Sequence, residues 1–344
     1  MKPYRSLLLI LTALSYSIAS FAQTDNNAKT LFNEGIALFD KGDFAGAADK
    51  YQQVLKINPK DYAAHYELAF TLYREGKLQE AIPYLDAIIK SSASKFEAYD
   101  LLGSIYDAAK QSDKAIEAFK AGIKEKPDFY RTHFNLAITY FETKKFADAE
   151  AEAIEALKLQ PDHANSQRLY AMATYAEGKH INSLLAWCSF LMREPNTARS
   201  VEACNYIKHI LYYSKNGNNI ALHGGNEENN FQQIAIAMSA TAGLVLPKAK
   251  DVNAVVSPLD SLSLPLPSIF KIAGEQKNKY GPPFFTKYFV DYFEQIANSN
   301  YMGVFSHYIT LSVFHDEDVT WLKAHQDDVK GFQDWLKNTK REKD

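Results

Sequence analysis

Alanine recurs at a spacing of 34 residues: Ala47, Ala81, Ala115, Ala149. Proline keeps the same register at Pro59, Pro127, Pro161 and Pro195, with Ala93 standing where one member is missing. So do Gly42, Gly76 and Gly178; Leu68, Leu102 and Leu136; Gly35, Ala69, Gly103, Ala137 and Ala171; and a larger series, Tyr51, Leu85, Phe119, Ala153 and Trp187. A unit this short cannot bury its own apolar face, so copies must stack into a solenoid.

Each unit reads as two helices. The first ends in a short polar turn ("REGK", "KQSD", "TKKF", "AEGK"), and the second stops at proline, which has no backbone N–H to donate. Two helices of a hairpin approach closely only where both present small side chains. The register sets Ala47 against Gly35, and it leaves Tyr51, Leu55 and their counterparts to fill the space between one repeat and the next.

Gly or Ala at the eighth position, Ala at the twentieth and Pro at the thirty-second resemble the tetratricopeptide repeat. Five copies fall at 28–61, 62–95, 96–129, 130–163 and 164–197, about half of the chain. The resemblance implies an all-α protein, a right-handed solenoid of helical hairpins followed by a C-terminal α-helical bundle. Departures are Glu34 where Leu or Trp is expected, Ala93 for proline, and Ser183 for alanine, the last implying looser packing where the array ends. Residues 198–214 read as one further helix docked on the fifth repeat.

The resemblance also implies which first-helix positions line the concave side: the second, fifth, ninth, twelfth and thirteenth. These are Phe32, Ile36 and Phe39 in the first repeat, then Tyr66, Phe70 and Tyr73. Glu97, Asp100, Ser104 and Asp107 follow, then Arg131, Phe134, Ile138 and Phe141, and last Arg168, Met172 and Tyr175. Together they describe a groove with aromatic walls and an acidic middle. An extended or helical segment with an apolar anchor and a central Lys or Arg fits it. The alternative is that these rings pack on one another or on the C-terminal region, with Arg131 and Arg168 neutralising the acids. Asn33 and Asn135 stand where some repeat proteins grip a C-terminal carboxylate, but the accompanying lysines are missing, so chaperone-tail binding is not expected.

Composition shifts after the array, and 215–344 reads as a separate helical domain of no recognised family. "KNGNNIALHGGNEENN" is a loop, and "FQQIAIAMSATAGLVL" a helix stopped by Pro247. In "SPLDSLSLPLPSIFKIAG", Ser257 and Pro258 make a helix start that Pro265 and Pro267 then break. Phe285, Phe289, Tyr292, Phe293 and Ile296 keep helical spacing, and "YMGVFSHYITLSVF" is apolar enough to be buried on most sides. In 316–337, Val319, Leu322, Val329, Phe332 and Leu336 share one face, behind the N-terminal acids Asp316, Glu317 and Asp318, which meet the helix dipole favourably.

The first 22 residues carry Lys2 and Arg5, an apolar run from Leu7 and a small-x-small site at Ser20-Phe21-Ala22, the pattern of a secretory signal peptide. The apolar run falls short of the ~20 residues that span a bilayer, so no stable membrane insertion is expected after cleavage, and no cysteine marks a lipidation site. The expected location is periplasmic, in a bacterium with two membranes, or secreted. Cleavage moves the net charge from −3 to −5, and without a long basic run nucleic acid is not an expected partner. Export permits a disulfide between Cys188 and Cys204; two buried free thiols are the alternative. No metalloprotease, nucleophile-elbow or phosphate-loop motif is present. The "HGG" at His223 leads into no suitable helix, His315 with Asp316 and Asp318 is too local to converge on a metal, and His65, His133 and His163 are repeat residues. No catalytic residue, cofactor or metal is therefore expected. The function expected is a scaffold holding a protein or peptide partner in an envelope assembly. The alternatives are a carbohydrate-binding envelope protein and an enzyme with its site in 215–344.

Overall fold

The computed structural model describes residues 26–91, 95–213, 265–275, 277, 283–339 and 341. The leader, Ala93, the loop at 215–230, the helix expected over 231–246 and the Ser257 helix start lie outside the described residues. The chain divides into two compact units, Met1–Thr139 and Tyr140–Asp344. Among the described residues every regular element is helical.

The first unit holds helical hairpins: α1 over 26–40 with α2, Phe44–Ile57; α3, Tyr62–Arg74, with α4, Leu78–Ile89; and α5, Phe96–Ala108, with α6, Ser112–Glu125. Next comes α7, Tyr130–Glu142, within which the two units divide. The alanines Ala47, Ala81 and Ala115 are fully buried. The partner of Gly35, however, is Tyr51. A Cβ on Gly35 would lie 2.7 Å from the Tyr51 ring, and one on Gly103 would lie 2.5 Å from the ring of Phe119. The large residue thus packs inside its own hairpin over the small one, which corrects the expectation that it fills the space between repeats.

The turns are built alike. Gly42 and Gly76 have positive φ, and Lys110 takes their place in the third repeat with φ 58°. In each turn the next residue donates back five positions: Asp43 to Leu38 at 3.0 Å, Lys77 to Leu72 at 2.9 Å, Gln111 to Tyr106 at 2.8 Å. That bond closes the first helix by the Schellman pattern, which requires a left-handed residue just past the helix end. A second device joins repeats. His65 Nε2 lies 3.0 Å from the Pro59 carbonyl, and His133 Nε2 lies 2.9 Å from that of Pro127. A side chain early in one repeat so meets the carbonyl left open where proline ended the helix before.

In the second unit α8, Phe146–Leu159, is followed by α9, Ala164–Ala176, α10, His180–Arg193, and α11, Ala198–Tyr213. The same turn recurs at Lys144, φ 60°, and Gly178, φ 77°. Gln167 Nε2 repeats the histidines' bond, at 2.9 Å from the Pro161 carbonyl. Ser183 does not loosen the array: it is fully buried, and its hydroxyl donates to the Ala171 carbonyl at 2.8 Å. Residues 180–192 of α10 are all buried, because α9, α11 and the C-terminal helices cover the helix from different sides.

Those helices are α12, Pro265–Glu275; α13, which begins at Pro283–Phe285, widens to a π-helix over Thr286–Val290 and continues as Asp291–Ala297; α14, Met302–Thr310; α15, His315–Ala324; and α16, Gln326–Asn338. Pro265 and Pro267 occupy the first turn of α12, where no intrahelical donor is needed. Phe270, Phe293 and Phe305 meet at centroid distances of 4.8–5.9 Å and form the core. The single amphipathic helix expected over 316–337 is two, interrupted at His325, whose ring stacks on Trp321 at 3.9 Å. Of its five apolar residues only Phe332 is fully buried.

Candidate functional site

In the first unit the first-helix positions gather into an aromatic row with an acidic neighbour. Phe39 of α1 lies 5.4 Å from Phe70 of α3, and Phe70 stacks between Tyr66 and Tyr73, each at 6.5 Å. All four rings are half-buried. The helix spacing puts Tyr66, Phe70 and Tyr73 on one stripe, and their burial against the hydrophobic core below fixes their tilt. The Arg74 guanidinium caps one end, 5.7 Å from the Phe39 ring and 5.3 Å from that of Phe44. Phe32 stands apart from the row: its ring faces Tyr51 at 5.5 Å, inside the hairpin.

The acids come from α5 and are held by α7. Asn135 Nδ2 donates to Asp100 at 3.1 Å, and Thr139 Oγ1 donates to Asp107 at 2.9 Å. Burial pushes the Asp100 carboxyl up, against the hydrogen bonds it accepts and the Arg131 charge. Glu67 is raised by burial and then by Glu97, and Tyr66 is pushed up to about 12 by burial, then by Glu97 and Asp100. Glu97 and Asp100 thus add to the cost of ionising Tyr66, and Glu97 to that of Glu67. Arg131, whose charge opposes the rise at Asp100, is exposed, with its guanidinium 5.4 Å from the Phe129 ring. Phe134 is half-buried on the same helix. Asn135, considered above only for a carboxylate clamp, instead orients an acid.

In the second unit the predicted residues have partners of their own. Phe141 packs on Phe146 across its hairpin at 5.4 Å. Arg168 makes a forked pair with Glu202, at 3.0 Å from Nε and 2.8–2.9 Å from Nη2. The Tyr175 hydroxyl lies 2.6 Å from His209 Nδ1, and its ring meets Tyr206 at 4.8 Å. Arg199 bonds Asn165. Three of these contacts, 165 to 199, 168 to 202 and 175 to 209, span 34 residues. The helix α11 thus packs on the fifth repeat in phase with the array. Sequence found the further helix over 198–214 but not its phase, because Asn205 and Gly217 stand where the small residue and the alanine belong.

Cys188 and Cys204 are buried free thiols, so the disulfide that export would permit is not formed. Both are fully buried, and the Cys204 thiol donates to the Ile309 carbonyl at 3.5 Å.

The C-terminal helices hold one polar cluster that sequence missed. Asp318, expected as an acid meeting the helix dipole, is in the first turn but fully buried, 2.8 Å from His307 Nδ1, and accepts from Thr310 Oγ1 at 2.8 Å. The His307 ring stacks on Trp321 at 4.1 Å. The cluster ties α14 to α15. His315 is exposed, 3.4 Å from Asn196, and His223 lies outside the described residues. Among the described residues no three metal-ligating side chains converge, and no helix is long and apolar enough to cross a membrane.

Models of the tetratricopeptide repeat match residues 32–96 and 71–130, and a second such model matches 108–173. The protein O-mannosyl-transferase Tmtc3 of Drosophila melanogaster is 25% identical over 175 residues, 51% of this chain. The DnaJ homolog subfamily C member 3 of Gallus gallus is 25% identical over 189 residues, 47% of this chain. The matches span 18% of the fly protein and 38% of the chicken one. Among solved structures, that of Pseudomonas aeruginosa pilF superposes with a TM-score of 0.49 at 17% identity, over 66% of this chain and 93% of its own.

Proposed function

Because residues 32–173 are tetratricopeptide repeats, a scaffold for protein interaction, we propose that this protein is exported and holds a protein or peptide partner on the first-helix face of its repeats, within an envelope assembly. The observation that carries the reading is the row of Phe39, Tyr66, Phe70 and Tyr73, half-exposed rings held on rigid helices. Aromatic side chains in such rows dominate binding energy, since they add area with little entropy to lose. Contiguous exposed aromatic surface is uncommon unless it is used. Asp100, Glu67 and Glu97, whose charges act on Tyr66, favour a segment carrying Lys or Arg next to an apolar anchor. Holding it needs no bond made or broken. Export rests on the leader pattern of residues 1–22.

The test uses the mature protein and its Phe70→Ala/Tyr73→Ala variant as bait in envelope extract, with mass spectrometry and then titration of the captured protein against both baits. A partner that binds the parent and loses at least tenfold in affinity to the variant, at unchanged circular dichroism, supports the reading. Equal affinity, or a glycan-array hit that the substitution leaves intact, overturns it.

A further inference from the structure

We propose that the ring-lined recess between α10 and α13 is a guanidinium-recognition site, held in this structure by the chain's own Arg341, and that an arginine side chain of a partner protein competes for it. The Arg341 guanidinium carbon lies 4.1 Å from the ring centroid of Tyr292, 4.9 Å from that of Tyr288, 5.7 Å from Phe293 and 5.9 Å from Phe289. Its Nη1 donates to the Ser189 hydroxyl at 2.6 Å, and its Nη2 lies 4.0 Å from the Met192 sulfur. Ser189, Tyr288, Phe289 and Phe293 are fully buried.

Contacts that do not involve Arg341 hold these walls. The Tyr288 hydroxyl donates to the Pro161 carbonyl and takes a bond from Gln167 Nε2 at 3.3 Å. Phe289 stacks on Tyr170 at 5.4 Å with 7° between the planes, and Phe293 packs on Phe270 at 4.8 Å. The recess is therefore built before its occupant arrives. Among the described residues Arg341 pairs with no carboxylate, so ring faces, the Ser189 hydroxyl and a hydrogen bond to the Tyr292 side chain do the recognising. This chemistry selects a planar, weakly hydrated guanidinium over a compact, strongly hydrated ammonium. The occupant sits beyond the end of α16, on a stretch where Thr339 is already extended. What keeps it in place is tethering, which makes its local concentration high, and a partner's arginine must outcompete that. The site lies wholly within Tyr140–Asp344 and does not depend on the aromatic row of the other unit.

The experiment titrates L-argininamide into the full chain and its Arg341→Ala variant, followed by intrinsic fluorescence. The variant is expected to bind saturably in the millimolar range, with the parent at least tenfold weaker, lysinamide about tenfold weaker on the variant, and the signal lost in Arg341→Ala/Tyr292→Leu. A folded variant with no saturable binding, or binding equal to that of the parent, overturns the proposal. Should Arg341→Ala not fold, phenylglyoxal modification of the parent decides: Arg341 is expected to react at least tenfold more slowly than the exposed Arg131, and equal rates overturn the proposal.

Discussion

Two lysines stand where the array calls for glycine. Lys110 and Lys144 hold φ of 58° and 60° at the position that Gly42, Gly76 and Gly178 fill in the other repeats. A side chain there costs roughly 1–2 kcal/mol against the right-handed well, while glycine loses more chain entropy on folding. Lys144→Gly is therefore expected to stabilise by about 0.5–1 kcal/mol, read as a rise of a few degrees in the melting temperature; an unchanged or lower one would show that the lysine relieves its own strain. The small residues under the rings run the other way. A methyl at Gly103 meets Phe119 at 2.5 Å, and overpacking of this kind costs about 1–3 kcal/mol, so Gly103→Ala should lower the urea midpoint, and a midpoint equal to the parent's sinks the packing account. The spacing of small and large residues was legible because each repeat solves one packing problem. Which small residue faces which ring was not. Ala47 and Tyr51 lie one turn apart on the same face, and only the tilt of the hairpin chooses between them. The proline-carbonyl bonds of His65, His133 and Gln167 were hidden too, since the bond recurs while the residue type changes.

Elements were legible where periodicity alone decides and illegible where a local polar bond does. The apolar pattern over 316–337 runs unbroken through His325, yet the backbone breaks there. Apolar spacing constrains which residues are covered and says little about whether one helix or two covers them. Likewise α11 keeps phase with the array through Arg168, Tyr175 and Arg199 without keeping its small-residue signature. The tie between α8 and the turn after α9 leads to a pH prediction. Glu150 is buried, and it shares the Lys179 ammonium with Glu177. Burial, then the neighbouring Glu177, pushes the Glu150 carboxyl from 4.5 up to about 7. Its folded value lies above its unfolded one, so the folded state holds the extra proton between those limits and stability falls as pH rises through that window. Glu150→Gln mimics the protonated form. It should raise the melting temperature at pH 8, by on the order of 1–2 kcal/mol of stability, and change it little at pH 5. Thermal melts of both proteins at the two pH values check this; equal destabilisation at both would mean the ion pair outweighs the burial.

At the scale of the molecule, the division into Met1–Thr139 and Tyr140–Asp344 separates the spectroscopic reporters. All three tryptophans, Trp187, Trp321 and Trp335, and both cysteines fall in the second unit, whereas helical dichroism comes from both. Burial pushes the Cys204 thiol up to about 11 and raises that of Cys188 further, so neither is a nucleophile while the packing holds. Cys204 lies between α11 and α14, where opening of the second unit must expose it. Stacked repeats contact only their neighbours, so two units of one chain need not unfold together. In a urea titration at pH 8, tryptophan fluorescence and Ellman's-reagent labelling are therefore expected to share one midpoint, while far-UV dichroism shows a second transition belonging to Met1–Thr139. No thiol should react before the shared midpoint. Coincidence of all three signals would mean that α7, which passes through the division, transmits unfolding in full, and the two units would then be one cooperative body.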